Sequence, residues 1–503
     1  MRPLVQEISS SSTPESLVEK LRDEPGIVLL RSAFFDSSQA RYSFLAARPF
    51  LTFRSFGSRC ELRSEERTDV QFGNPWHLLD SLMSRYELLE ELDLPFPLGG
   101  CFGYWGYDLK NFVEPKLPRR ALNDLELPDC HVGFYDTLIV FDHRIEKTWI
   151  VSTGLKADGS RDERRATEQA GFWRKHLCAD GRYLSIPLSR CDGEGENSSA
   201  SRELTICSNQ TRDEFLHRVE RARAYIRAGD IYQVNLSHRL AAPFPFSPRR
   251  LFNDLASVSP APFSAYIDCG DFRIASSSPE LFLRLSSSHI QTRPIKGTRP
   301  RSSDPTRDAQ LTYELQTSSK ELAELVMITD LLRNDLGKVC EYGSVQVPEL
   351  VRLERFPQVQ HLVSTVEGRL RSGATHFGAF ASCFPGGSIT GAPKIRAMEI
   401  IDELEPIARG PYTGALGYLG FNRESQLSIA IRTAICKGGA AYFHVGAGIV
   451  ADSSPEAEYE ETLAKARGFF EALQRLPESR FATFANFTKG EGGSNVAKRS
   501  GRP

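Results

Sequence analysis

The chain has 503 residues, of which 40% are hydrophobic and 25% are charged, a composition typical of a globular protein. Its 62 basic and 64 acidic residues give a formal net charge of -2, so the charge balance does not indicate a nucleic-acid partner. We find neither a signal peptide nor a run of about 18 apolar residues that would cross a membrane, and we therefore expect a cytoplasmic protein without membrane contact.

The ten cysteines are scattered along the chain and form no C-x-x-C motif. This spacing favours reduced and mostly buried thiols over a disulfide framework or a zinc site.

The first part of the chain is predicted to be rich in β-strands, since short β-branched and aromatic runs occur at GIVLLRS, RYSFLAA, HVGFYDTLIVFDH and KTWIVSTG. A charged helix is predicted around Asp162–His176, and the polar stretch Ser189–Glu203 is the best linker candidate. We therefore divide the chain into an N-terminal subdomain at residues 1–178, a linker at 179–208, a larger domain at 209–475 and a tail at 476–503. The end of the tail is predicted to be disordered.

The larger domain begins with a clear helix signal, because Thr211 and Glu214 form a capping box before an apolar-periodic run that Gly229 ends. The next segment, IYQVNLSHRL, is predicted to be a strand whose polar side faces water or a polar ligand. That polar side carries Gln233, Asn235, Ser237 and Arg239. Because helices and strands do not alternate regularly, we predict an α+β protein with large antiparallel sheets.

Lys296 lies in the segment TRPIKGTRPR, between Arg293, Arg299 and Arg301. An ordinary lysine has a pKa of about 10.4, and nearby positive charge lowers it, which would make the amine a better nucleophile. The alternative is a lysine in a salt bridge beside arginines that hold an acidic group.

Two E-x-x-E pairs are predicted to lie on helices. Glu321 and Glu324 occur in KELAELVMITDLL, and Glu458 and Glu461 occur in a helix that Ser454 caps and Pro455 opens. Four carboxylates from two helices suit a hard cation such as Mg²⁺, whereas the alternative is two solvated acidic faces.

Two glycine-rich segments are candidates for anion binding by the backbone. In CFPGGSITGAPK, Thr390 is predicted to cap a helix that begins near Pro393, and free N–H groups at such a start bind carboxylates or phosphates. In VGAGIV, Gly446 and Gly448 would let a ligand approach the backbone closely. Glycine turns that only connect two elements remain the alternative for each segment.

Two charged or titratable residues lie in apolar strands. His361, in VQHLVSTVEG, is either a hydrogen-bonded core residue or a catalytic group. Arg432, in LSIAIRTAI, requires a buried anion, because an unpaired guanidinium is costly to bury.

Taken together, these segments resemble the chorismate-utilising enzymes, the family of anthranilate synthase component I, aminodeoxychorismate synthase component I, and the isochorismate and salicylate synthases. The matching strings run in order over about Arg212–Leu473 and include GDIYQVNLS, PIKGTRPR, LVMITDLLRNDLG, FPGGSITGAPKIRAMEIIDELEP and GAGIVADSSPEAEYEET. The resemblance implies two large, mostly antiparallel β-sheets packed as a sandwich with peripheral helices. It also implies that the domain at 209–475 binds chorismate together with one Mg²⁺.

The resemblance assigns roles to individual residues. It implies that Glu324 and Glu461 ligate Mg²⁺, with Glu321 and Glu458 acting through water. It implies that Arg432 and Tyr412 bind the enolpyruvyl carboxylate, and that His361 handles a proton near the substrate hydroxyl. The implied substrate-binding residues are Thr298, Ser388, Thr390, Gly391, Tyr412, Arg432, Gly446, Gly448 and Lys465.

Two positions distinguish the branches of this family. Gln233 stands where isochorismate and salicylate synthases carry a lysine that activates water, so water addition is disfavoured. Lys296 stands where anthranilate synthases carry alanine, and the PIKGT string resembles aminodeoxychorismate synthase component I. That branch implies a covalent adduct between the lysine and ring carbon 2, followed by attack of ammonia on ring carbon 4. The alternative within the family is anthranilate synthase component I.

The resemblance also implies partners and a second pocket. We see no glutaminase signature in the chain, so ammonia is expected from a separate glutamine amidotransferase subunit, and a downstream lyase would complete p-aminobenzoate for folate biosynthesis. A tryptophan pocket is implied in the N-terminal part. Its residues would be Ser32, Ser43, Pro262 and Phe263.

Overall fold

The computed structural model describes residues 2–33, 40–88, 92–178, 203–356, 359–475 and 480–481. Most of the predicted linker and nearly all of the predicted tail lie outside the described residues, so both remain predictions.

The strands are short to medium in length and are numbered in chain order. They are β1 Leu4–Ile8, β2 Val28–Arg31, β3 Tyr42–Ala46, β4 Leu51–Phe56, β5 Arg59–Ser64, β6 Thr68–Phe72, β7 Gly100–Trp105, β8 Cys130–Tyr135, β9 Thr137–Asp142, β10 Lys147–Ser152, β11 Glu203–Leu204, β12 Cys207–Ser208, β13 Gln233–Pro243, β14 Phe263–Asp268, β15 Phe272–Ser278, β16 Leu281–Ser286, β17 His289–Arg293, β18 Ile295–Pro300, β19 Gln346–Arg355, β20 Val359–Arg369, β21 Gly391–Ala392, β22 Ala415–Gly420, β23 Glu424–Ile429, β24 Thr433–Lys437, β25 Ala440–Ile449 and β26 Arg480–Phe481.

The helices are numbered in the same way, and two 3₁₀ turns lie at Tyr107–Leu109 and Gly387–Ile389. The helices are α1 Pro14–Lys20, α2 Pro75–Tyr86, α3 Lys110–Val113, α4 Glu163–Cys178, α5 Arg212–Arg227, α6 Pro248–Val258, α7 Pro305–Thr317, α8 Ser319–Gly337, α9 His376–Cys383, α10 Lys394–Leu404 and α11 Pro455–Gln474.

Two sheets of twelve strands each make up most of the fold. The first has the order β1-β10-β9-β3-β2-β14-β15-β24-β25-β13-β12, with β21 added beside β13. The second has the order β18-β20-β17-β16-β23-β22-β7-β8-β4-β5-β6, with β19 added beside β20. The described pairs within both sheets are antiparallel, which confirms the predicted α+β fold class.

Each sheet combines strands from the two ends of the chain. In the first sheet, β2 pairs with β14, and Leu30 lies opposite Ala265. In the second, β7 pairs with β22, and Trp105 lies opposite Ala415. The predicted boundary at 179–208 therefore separates two stretches of sequence that meet again in both sheets.

The sheets pack face to face around an aromatic core. The Phe44 ring lies 5.0 Å from the Tyr418 ring, and the Tyr104 ring lies 6.0 Å from the Phe272 ring, each pair joining one sheet to the other. Because buried aromatic rings contribute large apolar areas, these contacts account for the sandwich arrangement that the sequence predicts.

Helices cover the outer faces of both sheets. On the first sheet, Phe469 of α11 stacks on Phe443 at 4.5 Å. On the second, Phe380 of α9 packs edge-on against Trp105 at 5.3 Å. The helix α11 therefore has one face fixed against the sheet, which leaves its opposite face and its first turns for other contacts.

Two local predictions, the capping box and the mostly buried thiols, are confirmed. Thr211 and Glu214 form a reciprocal capping box at the start of α5. Seven of the nine described cysteines are buried and all nine are free, in agreement with reduced thiols. No described helix is both long enough and apolar enough to cross a membrane.

The polar side of β13 is buried and does not face water. Gln233, Ser237 and Arg239 are only 2%, 5% and 7% exposed. Arg239 forms an ion pair with Asp124, and the Ser237 backbone N–H and hydroxyl both donate to Glu405. This strand therefore presents its polar groups to protein partners and, at Gln233, to the site described below.

Candidate active site

Two glycines of β25 leave room for side chains from neighbouring elements. A Cβ atom on Gly448 would lie 2.3 Å from Gln233 Nε2 and 3.8 Å from Lys296 Nζ. A Cβ atom on Gly446 would lie 2.8 Å from the Tyr412 hydroxyl. At Gly446 a Cβ atom would also lie 2.7 Å from the Leu236 carbonyl oxygen, so a larger residue there would require a backbone shift, whereas at Gly448 it would displace the Gln233 side chain. Gln233, Lys296 and Tyr412 thus converge on one strand.

The Lys296 amine faces a carboxylate. Its Nζ atom lies 3.4 Å from an oxygen of Glu324, and the two side chains are 16% and 14% exposed. The structure thus brings together two residues that the sequence places 28 positions apart, one a predicted nucleophile and the other a predicted metal ligand.

The three arginines around Lys296 each have an acidic partner of their own. The ion pairs are Arg293–Glu354 at 2.6 Å, Arg299–Glu321 at 3.4 Å and Arg301–Asp308 at 2.9 Å. Of the two interpretations of this segment, the structure therefore shows the second, a lysine in a salt bridge beside arginines that each hold a carboxylate.

A buried carboxyl group beside Lys296 was not anticipated from the sequence. Glu280 precedes β16 and is 6% exposed, and one of its oxygens accepts a hydrogen bond of 2.6 Å from the Ser388 hydroxyl. Burial raises the pKa of Glu280 to about 7, although the Ser388 hydrogen bond and the nearby Lys296 and Lys465 oppose that rise. A carboxyl group with this pKa is able to donate a proton at neutral pH. The one sequence signal is a glutamate directly before the apolar strand LFLRL.

The two E-x-x-E pairs lie at the starts of α8 and α11, and Lys320 of α8 lies 4.0 Å from Glu458 of α11. Glu461 pairs with Lys465 at 2.8 Å, and Lys465 also donates to the Gly446 carbonyl oxygen at 2.9 Å. Because Lys320 also acts on Glu461, the acidic turns of the two helices are neighbours.

Charge and burial act differently on the two carboxylates of α11. Burial raises the pKa of Glu458, and the adjacent Glu461 adds to the rise despite a hydrogen bond of 2.6 Å from Ser453. The Glu461 side chain is 48% exposed, and the Lys465, Lys296 and Lys320 ammonium groups outweigh its partial desolvation, so its pKa is lowered. Glu461 is therefore the more readily ionised of the pair.

The donor chemistry of the four predicted ligands fits Mg²⁺, since all are carboxylates on two neighbouring helices. Among the described residues, however, no three acidic, histidine or cysteine side chains are gathered closely enough to hold a metal ion. Each of the four carboxylates instead lies beside a lysine or arginine. The Mg²⁺ site remains a prediction.

His361 lies on β20, and its Nδ1 atom is 2.8 Å from the Thr298 hydroxyl. Burial, together with the positive charge of Arg432, lowers the pKa of His361 to about 4, although a hydrogen bond to the Gly297 backbone partly opposes this. The imidazole is therefore neutral near pH 7, and it is able to accept or relay a proton but not to act as a cationic acid.

Arg432 lies close enough to His361 for its charge to act on it, and the Tyr412 hydroxyl lies beside Gly446. The Arg432 guanidinium is partly buried and, within the described part of the chain, has neither a hydrogen bond nor an ion pair, and burial lowers its pKa. Its backbone φ of 50° lies in the left-handed region, an uncommon conformation for an arginine. The Tyr412 ring stacks on His444 at 5.1 Å. An unpaired guanidinium of this kind requires an anionic ligand.

The glycine-rich turn before α10 differs from its prediction. Thr390 does not cap the helix, because its hydroxyl donates to the Gly386 and Gly387 carbonyl oxygens at 3.1 and 3.2 Å. The short strand β21 stands between Thr390 and the helix, with Gly391 opposite Val234 of β13, and α10 begins only after Pro393. The turn therefore places Ser388 against Glu280 and fixes Thr390 in the core.

Two buried oxygen atoms of β13 have no hydrogen-bond partner among the described residues: Gln233 Oε1 and Asn235 Oδ1. Buried polar atoms are nearly always paired, so these acceptors indicate a place for a donor from outside the chain. Gln233, near Lys296, is 2% exposed.

A separate cavity lies where the tryptophan pocket was predicted. It measures about 340 Å³ including its open mouth, and Ser32, Pro262 and Phe263 line it. Ser43 lies behind Ser32, whose backbone N–H donates to the Ser43 hydroxyl at 3.0 Å. The structure gathers the four residues, and the ligand remains a prediction.

Comparison with known proteins places this arrangement in context. A family model described as chorismate binding enzyme matches residues 31–471. The anthranilate synthase component 1 of Acetivibrio thermocellus is 38% identical over 95% of this chain and 96% of its own length. The aminodeoxychorismate synthase component 1 of Escherichia coli is 37% identical over 92% of this chain and 96% of its own length.

A solved structure gives the same relationship. The crystal structure of anthranilate synthase component I from Streptococcus pneumoniae is 31% identical, covers 86% of this chain and 93% of its own, and superposes with a TM-score of 0.73. Since relatives with both names are equally similar, overall identity does not distinguish between the two activities.

Proposed function

The chain belongs to the chorismate-binding enzyme family, and we propose that within it this protein acts as an aminodeoxychorismate synthase component I. It would convert chorismate and ammonia into 4-amino-4-deoxychorismate and water. The main support for the proposal is the position of the Lys296 amine. Its Nζ atom lies 3.8 Å from where a Cβ atom on Gly448 would be, and the buried Gln233 side chain lies at the same place. An anthranilate synthase would need no amine at this position.

The first step would form a bond between the Lys296 nitrogen and ring carbon 2. The electron pair of the neutral amine enters the ring, the double bond shifts, and the hydroxyl on carbon 4 leaves as water with a proton from Glu280. The raised pKa of Glu280 supports this role, because a carboxyl group with a pKa of about 7 retains its proton in a substantial fraction of molecules at neutral pH.

The second step would restore the lysine. Ammonia attacks carbon 4, the bond from Lys296 to carbon 2 breaks with its electrons returning to the lysine nitrogen, and the new ammonium group returns one proton to Glu280. No oxidant or reductant is required. The unpaired Oε1 atom of Gln233 supports a binding place for ammonia, because it is a buried acceptor for an N–H donor.

The substrate carboxylates would be held at two places. The unpaired Arg432 guanidinium suits the enolpyruvyl carboxylate, with Tyr412 beside it. Glu324 and Glu461 would hold Mg²⁺, with Glu321 and Glu458 behind them, and the bound cation would neutralise the ring carboxylate and withdraw electrons from the ring. Thr298 would orient the neutral His361 ring near the substrate hydroxyl.

We further propose that the ammonia comes from a separate glutamine amidotransferase subunit. The purified chain should then use ammonium but not glutamine, and adding a glutaminase subunit should restore the use of glutamine. Turnover of glutamine by the chain alone would contradict this part of the proposal.

The identity of the product tests the assignment. The protein is incubated with chorismate, Mg²⁺ and ammonium, and the products are separated with and without an added aminodeoxychorismate lyase. Formation of p-aminobenzoate only when the lyase is present is the expected result. Formation of anthranilate without the lyase would instead support the alternative, anthranilate synthase component I, which the equally similar relatives keep open.

A further inference from the structure

We propose that Arg409, to which the family resemblance assigns no role, is a positioning residue that sets the shape of the chorismate pocket. Arg409 follows α10 and is 1% exposed. It pairs with Glu405, which is also buried, at 2.7 Å. The argument rests on chorismate as the substrate but not on which ring carbon receives the nitrogen.

Every N–H group of the Arg409 guanidinium is engaged. An arginine side chain has five such donors, and Arg409 makes five hydrogen bonds of 2.7–3.3 Å. Two of them go to Glu405, and the others go to the carbonyl oxygens of Asn235 and Ile389 and to the Thr413 hydroxyl.

These partners belong to three separate walls of the pocket. Asn235 lies on β13 two residues after Gln233, and Ile389 lies between Ser388 and Thr390 in the glycine-rich turn. Thr413 follows Tyr412 directly. One side chain thus links the segments that carry Gln233 and Ser388 to the turn at 409–413, which carries Tyr412 and Arg409 itself.

Tyr412 is held in two further ways, one through its backbone and one through its ring. Its backbone N–H donates to the Arg409 carbonyl oxygen at 3.1 Å, and the Arg409 guanidinium lies 5.7 Å from the ring centre. The His444 ring also stacks on Tyr412 at 5.1 Å. A shift of Arg409 would therefore move the Tyr412 hydroxyl relative to Gly446 and to the bound substrate.

Glu405 anchors the arginine to the sheet. The Ser237 backbone N–H and hydroxyl both donate to Glu405 Oε1, at 2.8 and 3.0 Å. A lysine at position 409 would keep the charge but would lack the planar fork needed to reach Glu405 and the three walls together. The geometry of the guanidinium, and not only its charge, is what the pocket requires.

The test compares Arg409→Lys, Tyr412→Phe and the double variant by the rate of ammonia-dependent chorismate consumption, which is the same readout for either aminated product. We expect Arg409→Lys to raise KM for chorismate roughly 10- to 100-fold with a smaller change in kcat. In the Tyr412→Phe background the same change should raise KM by a clearly smaller factor, because one of the groups that Arg409 positions is gone.

Arg165→Lys serves as the matched control, since Arg165 forms a structural ion pair with the buried Asp136 at 2.9 Å. It should lower Tm without changing KM. If Arg409→Lys lowers Tm but leaves KM unchanged, or if its effect on KM is undiminished in the Tyr412→Phe background, the positioning role is refuted.

Glu405→Gln gives a second route if Arg409→Lys does not fold, and it should raise KM in the same way. Failure of this test leaves the product assay unaffected, so the two proposals are judged separately.

Discussion

The Lys296 Nζ atom lies 3.4 Å from a carboxylate oxygen of Glu324, and this pair joins the two chemical features that the sequence displays most clearly. One is the lysine that would attack the ring, and the other is a carboxylate that would hold the cation. Lys296 has to leave Glu324 before it reaches a ring carbon. Glu324 thus pairs with the proposed nucleophile and is also one of the predicted metal ligands.

Replacing Lys296 should change the product. In Lys296→Ala the covalent route is lost, so 4-amino-4-deoxychorismate should fall below detection or be replaced by anthranilate, formed by direct attack of ammonia on carbon 2. Chromatography of the products from chorismate, Mg²⁺ and ammonium measures this. An intact-mass increase on the unmodified protein, absent in the variant, supports the adduct. Unchanged 4-amino-4-deoxychorismate from the variant would exclude the lysine as nucleophile.

Replacing Glu280 should remove a proton donor and a pH dependence. Because the acid form is the active one and its pKa is raised to about 7, the rate of the unmodified enzyme should decline as pH increases through about 7. Glu280→Gln should lower kcat by roughly 10²- to 10⁴-fold and lose that decline. The pH–rate profiles from pH 5.5 to 9 provide the measurement. If Glu280→Gln keeps the same decline in rate near pH 7, that decline belongs to a different titrating group.

Replacing Arg432 should weaken substrate binding and strengthen the fold. The partly buried guanidinium lacks a partner in the described residues, so Arg432→Met should raise Tm, while loss of a charge-assisted contact raises KM for chorismate by about 10- to 100-fold. Arg423→Met is the control, because Arg423 also has a positive φ, of 57°, and pairs with Glu87 at 3.3 Å. Its KM should not change. A lower Tm with an unchanged KM in Arg432→Met would argue against the carboxylate contact.

Replacing His361 should lower the rate equally across neutral pH. With a pKa of about 4, the ring is neutral between pH 6 and 8, so His361→Asn should reduce kcat/KM by roughly 10²-fold without altering the shape of the profile in that range. Profiles of both proteins, measured side by side, give the comparison. If the change in kcat/KM between pH 6 and 7 is seen in the unmodified enzyme but is absent in the variant, the histidine titrates during turnover.

Replacing Glu461 should reduce cation binding directly. Glu461→Gln is expected to weaken Mg²⁺ affinity at least about tenfold, as measured by calorimetry or by Mn²⁺ resonance, independently of turnover. Glu460→Gln is the control and should bind Mg²⁺ normally, because Glu460 is the neighbouring exposed residue of α11 and forms no ion pair within the described part of the chain. Equal affinities in the two variants would remove Glu461 from the predicted metal site.

The parts of the fold that follow local rules were predictable from the sequence. The capping box of Thr211 and Glu214, the E-x-x-E helices and the β-branched strands depend on residues a few positions apart, and the structure contains all of them. The sandwich of two sheets followed from the family resemblance, since neither strand order nor register is visible in local patterns.

The parts of the site that depend on distant contacts were not predictable. Glu280 gains its role from Ser388, which is 108 positions away, and from burial by strands that the sequence does not order. The acid partners of the three arginines lie 7 to 61 positions away, so the sequence left open whether the charge around Lys296 is neutralised. Thr390 was mistaken for a cap because nothing local indicates that β21 pairs with β13.

The interleaving of both sheets also has a consequence for synthesis on the ribosome. The strand β7 is central in its sheet, yet its partner β22 is made more than 300 residues later, with Trp105 lying opposite Ala415. Until β22 emerges, one edge of β7 has no native neighbour, and the same holds for β2 until β14 is made. Long-range antiparallel pairing is slow, so the nascent N-terminal part exposes unpaired strand edges, which are prone to aggregation, for a long time. The enzyme therefore completes its two sheets only after most of its length has been translated.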